Sequence, residues 1–144
     1  MKKNIKNSVV TLAMATVLSL TAICGFGTSA KAANTTDTWY AFNSGNVSGY
    51  SSIRQKDNTS KVYIHPVSGP KIYYKVEGIT TNGSAFTASS THAIQNGVKA
   101  SITNHVIEWG GVSARLYMQR ITSVNQDTRG VWSPDSANTY TVYN

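Results

Sequence analysis

Beyond its first thirty-two residues the chain alternates apolar and polar positions with a period of two, and no dozen consecutive residues carry a helical apolar stripe. The strongest alternation runs from Ala100 to Ile121, two segments joined by Gly110-Gly111, a dipeptide suited to the positive φ angles of a tight hairpin turn. A hairpin in that register pairs Trp109 with Val112, Ile107 with Ala114, His105 with Leu116 and Thr103 with Met118 on a mostly apolar face. Glu108 with Ser113, Val106 with Arg115, Asn104 with Tyr117 and Ile102 with Gln119 then share the more polar face, and a one-residue slip would exchange the two.

A second hairpin is expected from Lys61–Val67 and Lys71–Glu77 across Ser68-Gly69-Pro70. It gathers Val62, Ile64 and Pro66 with Ile72, Tyr74 and Val76 on one face. On the other it sets Lys61 opposite Glu77, Tyr63 opposite Lys75 and His65 opposite Tyr73. Pro66 cannot donate to a ladder, so its strand is expected at a sheet edge or to end early.

Shorter strands are expected at Thr38–Phe42, Val47–Arg54, Ser84–Ala88, Val131–Trp132 and Thr139–Tyr143. Ala33–Asp37 reads as a flexible terminus, Thr91–Gln95 as a short helical turn and Ser123–Arg129 as a loop. Composition agrees: Leu116 is the one leucine after residue 32, while Tyr, Val, Ile and Thr supply the apolar and β-branched content. Roughly eight short strands with frequent turns predict an all-β fold, a single antiparallel β-sandwich or barrel-like domain over 33–144. Trp39, Trp109 and Trp132 read as core residues, and His105 as a hydrogen-bonded core histidine.

The first thirty-two residues read as an address. Lys2, Lys3 and Lys6 precede an uncharged apolar run from Val9 to Phe26, and Ala30-Lys31-Ala32 supplies an A-x-A site. That is the pattern of a secretory signal peptide, 1–32, cleaved between Ala32 and Ala33. Cys24 follows Ile23 rather than a small residue, which argues against lipoprotein processing, and it leaves with the leader. The mature chain then has no cysteine, hence no disulfide support in an oxidising compartment. Its charge also changes: four of the thirteen Lys and Arg lie in the leader, leaving nine against six acidic residues, a formal +3 instead of +7. Nucleic acid is not expected as a partner at that charge, whereas loose attraction to an anionic envelope polymer is. No later segment is long and apolar enough to form a membrane anchor.

The residues argue against catalysis and against cofactors. His65, His92 and His105 stand far apart without ligand-like spacing, so no metal is expected. No serine occupies a G-x-S-x-G turn. Of the six carboxylates, Glu77 and Glu108 are assigned ion-pair partners in Lys61 and Arg115, which leaves no evident pair for glycosidase chemistry. Binding is the stronger expectation. The exposed face of the second hairpin would present Tyr63, His65, Lys71, Tyr73 and Lys75 together, rings that stack on a ligand interleaved with lysines that meet its negative charge.

The signal peptide, the cysteine-free mature chain, the strands rich in Tyr, Ser, Thr and Asn, and the closing run from Ala114 through Gly130-Val131-Trp132-Ser133-Pro134-Asp135 carry a resemblance. The chain resembles a family of small secreted proteins of Gram-positive bacteria catalogued as a domain of unknown function, and more loosely the lactococcin-type β-sandwich bacteriocins. The first resemblance implies an exported protein with no catalytic residues to transfer. The second implies a toxin acting on related bacteria. The expected function is a secreted, non-enzymatic protein that binds a cell-envelope component, with a bacteriocin-like toxin and a small secreted hydrolase as the alternatives.

Overall fold

The computed structural model describes residues 32–123 and 125–144, so the expected leader lies outside the described residues except for Ala32. The described residues form eleven strands and no helix. In chain order these are β1 (Thr38–Phe42), β2 (Ser48–Tyr50), β3 (Arg54–Gln55), β4 (Val62–Ser68), β5 (Ile72–Ile79) and β6 (Ala85–Thr87). They continue with β7 (His92–Ile94), β8 (Ala100–Ile102), β9 (Ser113–Arg120), β10 (Thr128–Ser133) and β11 (Thr141–Tyr143). One sheet runs β1-β10-β4-β8-β11; the other runs β2-β9-β5-β6, with β3 also on β9 and β7 also on β5. The two pack face to face as a β-sandwich, the all-β class that the alternation predicts.

One core lies between the layers. The first sheet contributes Tyr40, Phe42, Val62, Ile64, Ala100, Ile102 and Trp132; the second contributes Ile72, Tyr74, Val76, Ile94, Ala114, Leu116 and Met118. Across it the Tyr40 and Tyr74 hydroxyls hydrogen-bond at 2.8 Å, with their rings edge to face. Burial pushes both hydroxyls well above the ordinary tyrosine pKa, and the neighbouring Tyr74 adds to the effect on Tyr40.

Neither predicted hairpin forms. β4 and β5 exist within a residue or two of their expected bounds, but β4 pairs with β10 and β8 whereas β5 pairs with β9, β6 and β7. Gly69, at φ 98°, carries the chain from one sheet to the other rather than around a turn within one. Val62, Ile64 and Pro66 therefore face Ile72, Tyr74 and Val76 through the core instead of lying beside them. Pro66 sits on an inner strand, tolerated because β8 covers only Val62 to Ile64 and stops short of it.

The stretch from 100 to 121 divides in the same way, with β8 in one sheet and β9 in the other. Between them residues 106–110 make a single tight turn. Trp109 N–H donates to the His105 carbonyl, Gly110 N–H to Ile107 and Gly111 N–H to Val106, and Gly110 has φ 82°. The 6→1 and 5→2 bonds around a left-handed glycine are a Schellman closure, so Gly110 ends a helical turn and does not centre a hairpin. Asn104 opens the turn by accepting from Val106 N–H at 3.4 Å.

Several smaller expectations change with these two. His105 and Trp109 are exposed, and Trp39 is 68 % exposed, which leaves Trp132, at 0 %, as the tryptophan of the core. Val47–Arg54 breaks into β2 and β3. Thr91–Gln95 forms strand β7 rather than a helical turn, and β10 extends back to Thr128. β11 runs parallel to β8.

The expected flexible terminus is pinned. Asn34 N–H donates to Asp135 Oδ2 at 2.8 Å, and the Asn34 side chain bonds the Gln55 carbonyl and Arg54 Nη2. Asp135 closes the Ser133-Pro134-Asp135 run after β10, and its carboxylate also accepts from Asp57 N–H at 2.9 Å and Ser60 Oγ at 3.2 Å. Lys56 Nζ reaches Asp135 Oδ1 at 2.9 Å, the Pro134 carbonyl at 2.7 Å and the Ser60 carbonyl at 2.6 Å, which satisfies all three of its N–H groups. Both charged side chains are 0 % exposed. Burial alone would raise the Asp135 carboxyl, but the Asp57 N–H, the Lys56 ammonium and the Asn34 N–H outweigh it and hold the group below the usual carboxylate range.

Candidate binding face

The eight-residue ladder between β5 and β9 sets Lys75 opposite Tyr117 and Glu77 opposite Arg115, and β2 brings Tyr50 opposite Tyr117 on its other side. The alternation that buries Tyr74, Val76, Leu116 and Met118 turns these five side chains to the outside of the sandwich.

Glu77 stands at the centre of the group. Its Oε2 accepts from Arg115 Nε at 3.0 Å and Nη2 at 2.8 Å, and its Oε1 lies 3.2 Å from Lys75 Nζ. The Arg115 guanidinium lies 3.8 Å over the Tyr50 ring and the Lys75 ammonium 4.5 Å over the Tyr117 ring, while the two rings are 5.5 Å apart. Each cation is thus held between a carboxylate oxygen and an aromatic face, both attractive to it. Two cations around one carboxylate leave a formal charge of one on a surface whose side chains are already ordered, so little rotamer freedom remains to be lost on binding. Arg115 is therefore the partner of Glu77, in place of the expected Lys61–Glu77 and Glu108–Arg115 pairs.

Of the five predicted site residues, Tyr73 and Lys75 lie on this sheet and Lys71 immediately precedes its strand β5. Tyr73 faces outward from β5 and, with Lys71, Pro70, Ala93, Ile121 and Thr122, lines a shallow groove of about 370 Å³ at one end of the face. Tyr63 and His65 are on β4, in the opposite sheet, with the whole core between them and Tyr73. Tyr63 is buried under Tyr140 at 4.8 Å, and that burial, reinforced by Asp37 and Tyr140, raises its hydroxyl above the ordinary range. His65 is half-buried opposite Val131 of β10. The two groups never share a surface because β4 and β5 share no ladder.

Sequence reasoning missed Tyr50, Glu77, Arg115 and Tyr117 as members of one cluster. The outward alternation of Arg115, Tyr117 and Gln119 was available from the sequence, but the identity of the strands beside β9 was not. Among the described residues, no three His, Cys, Asp or Glu side chains come together as a metal-binding group.

The face and the buried Lys56–Asp135 bridge both lie within residues 28–136, the span matched by a family model described as "Protein of unknown function (DUF2712)". The chain belongs to that family. The family span takes in β1 through β10 and closes one residue past Asp135, so the buried bridge and the tyrosine–cation face are built from family residues, whereas β11, the edge of the other sheet, lies beyond it. Comparison with curated proteins and with solved structures returned no match.

Proposed function

We propose that this protein is exported from a Gram-positive bacterium and acts by binding rather than catalysis, holding an anionic cell-envelope polymer on the outer face of β2, β9 and β5. The observation that carries this reading is the Tyr50–Arg115–Glu77–Lys75–Tyr117 cluster: two aromatic faces and two cations, fixed against one carboxylate on the longest ladder among the described residues. Rings fixed in an open face suit stacking on successive units of an extended chain, and the cations supply attraction to its negative groups. The groove beside Tyr73 extends the same face.

The test is co-sedimentation of residues 33–144, which hold all eleven strands, with isolated Gram-positive cell walls at low and moderate salt. Binding should weaken at least about tenfold, equivalent to roughly 1.4 kcal/mol, when Tyr50→Ala and Tyr117→Ala are combined. It should survive His65→Ala on the opposite sheet. Glu77→Gln, which removes the carboxylate between the two cations, should tighten binding and steepen its salt dependence. Failure of the unaltered protein to sediment with walls, or equal loss in the His65 variant, would sink the assignment.

A further inference from the structure

A second surface lies on the turn that separates β8 from β9. Asn104 and Val106 anchor that turn. Val106 is fully buried, and the Asn104 amide donates to the Ser60 and Ile102 carbonyls. His105 N–H adds a bond to the Ala88 carbonyl at 2.9 Å, so the backbone is fixed on both flanks. From this rigid base His105 and Trp109, four residues apart on one turn, project together into solvent, their rings stacked at 4.9 Å with 24° between planes. Trp109 is 58 % exposed, and the Phe86 ring lies 6.3 Å from it. A tryptophan left in water on a fixed turn is a rigid aromatic plane presented to a ligand, because its position costs no further ordering when something stacks on it.

Beside this plane lies a cleft of about 380 Å³, large enough for a sugar-sized ligand. Thr87, Ser89, Ser90, Thr103 and Asn144 bring hydroxyl and amide groups to its lining, and Ala88 adds an apolar contact. Thr103 Oγ1 and Asn144 Oδ1 are 2.8 Å apart, which leaves the Asn144 amide hydrogens directed elsewhere. An aromatic plane with hydroxyl and amide side chains around it, and no Asp, Glu, Lys or Arg side chain in the lining, matches a neutral pyranose. Such a ring offers an apolar C–H face to the indole and equatorial hydroxyls to the rim. We infer that the His105–Trp109 cleft binds a neutral sugar unit of an oligosaccharide, by stacking on Trp109 and hydrogen bonding to the Ser, Thr and Asn rim.

This site stands independently of the tyrosine face, although Thr87 joins them, since Lys75 Nζ donates to Thr87 Oγ1 at 3.3 Å and Thr87 also lines the cleft. The experiment titrates residues 33–144 with two soluble tetrasaccharides, one of β-linked glucose and one of β-linked N-acetylglucosamine. Tryptophan emission and backbone amide shifts are followed together. The expected result is saturable binding of at least one sugar, with amide shifts concentrated at Ser89, Ser90, Thr103, His105 and Asn144. Trp109→Ala should lose at least about tenfold in affinity. Trp39→Phe on β1, at the other edge of the β8–β11 sheet, and the combined Tyr50→Ala, Tyr117→Ala variant should keep it. Absence of saturable shifts with both sugars, or shifts that map to the tyrosine face and vanish in the double tyrosine variant, would overturn the assignment. The amide map is made on the unaltered protein, so the decision stands even where a Trp109 variant folds poorly.

Discussion

Asp135→Asn is the substitution on which the architecture makes its sharpest demand. The Asp135 carboxylate accepts four hydrogen bonds, from Lys56 Nζ, Ser60 Oγ, Asn34 N–H and Asp57 N–H, and both charged side chains are 0 % exposed. An amide in its place presents an NH₂ group either to the Lys56 ammonium or to two backbone N–H donors, and each orientation opposes like against like. The ammonium is then left buried with carbonyls alone for partners. Removing one member of a buried pair costs about 3–5 kcal/mol, a large share of the roughly 5–15 kcal/mol that holds a domain folded. In urea unfolding of residues 33–144 the midpoint should fall by on the order of 2 M, given a slope of about 1–3 kcal/mol/M. Lys56→Met should cost a similar amount, and the double variant less than the sum, because the two side chains share one interaction.

The pH dependence has a definite sign. The folded Asp135 pKa lies below its unfolded value, so its stabilisation is fully present above the unfolded pKa of about 3.9 and is lost as pH falls from there through the folded pKa. Asp135→Asn should remove that part of the acid slope. A loss below about 1 kcal/mol, the range of a solvent-exposed pair, together with an unchanged acid slope, would refute the buried bridge.

Two further substitutions test the packing of the layers. At Gly130, on β10 between Tyr40 of β1 and Pro66 of β4, a Cβ would fall inside contact distance of the His65 carbonyl and the Tyr40 ring. Gly130→Ala should therefore cost about 1–3 kcal/mol as overpacking, read as a lower thermal midpoint, and an unchanged midpoint would refute this packing. Tyr74→Phe strands the buried Tyr40 hydroxyl, whose partner it is at 2.8 Å, and should cost about 1–3 kcal/mol, while Tyr40→Phe combined with Tyr74→Phe should recover part of the loss; equal losses in single and double variants would argue against the bond.

The predicted polar face of the second hairpin shows how far a one-dimensional pattern reaches. Tyr63, His65, Tyr73 and Lys75 do all point away from the core, as the alternation requires. They share no surface because the inward sets Val62/Ile64 and Ile72/Tyr74 meet across the core. A hairpin and two strands facing one another through a sandwich bury the same alternate residues, so the pattern of burial is identical in both. The charge match between Lys61 and Glu77 had no power to separate them, since Arg115 offers Glu77 a better partner from a strand some forty residues away.

Gly110-Gly111 carries a related lesson about local signals. The pair reads as a hairpin centre, yet Asn104 and Gly110 together are also the cap residues of a short helical turn, and that is how they are used. The choice fell to Val106, whose burial requires the chain to fold back into the core between β8 and β9. One consequence is the exposure of His105 and Trp109, which the hairpin register would have placed on the apolar face.

What the sequence by itself determined is therefore the strand class, most of the strand positions and the inward side of β4, β5 and β9, because side-chain alternation and turn residues are local properties; on β8 the inward residues, Ala100 and Ile102, are those the hairpin register placed on the polar face. What only the tertiary structure decided is which strands lie side by side, and with that both the tyrosine–cation face and the Lys56–Asp135 bridge. Each joins residues tens of positions apart, and strand pairing over such separations is set by filling one shared core rather than by any feature of the segments themselves.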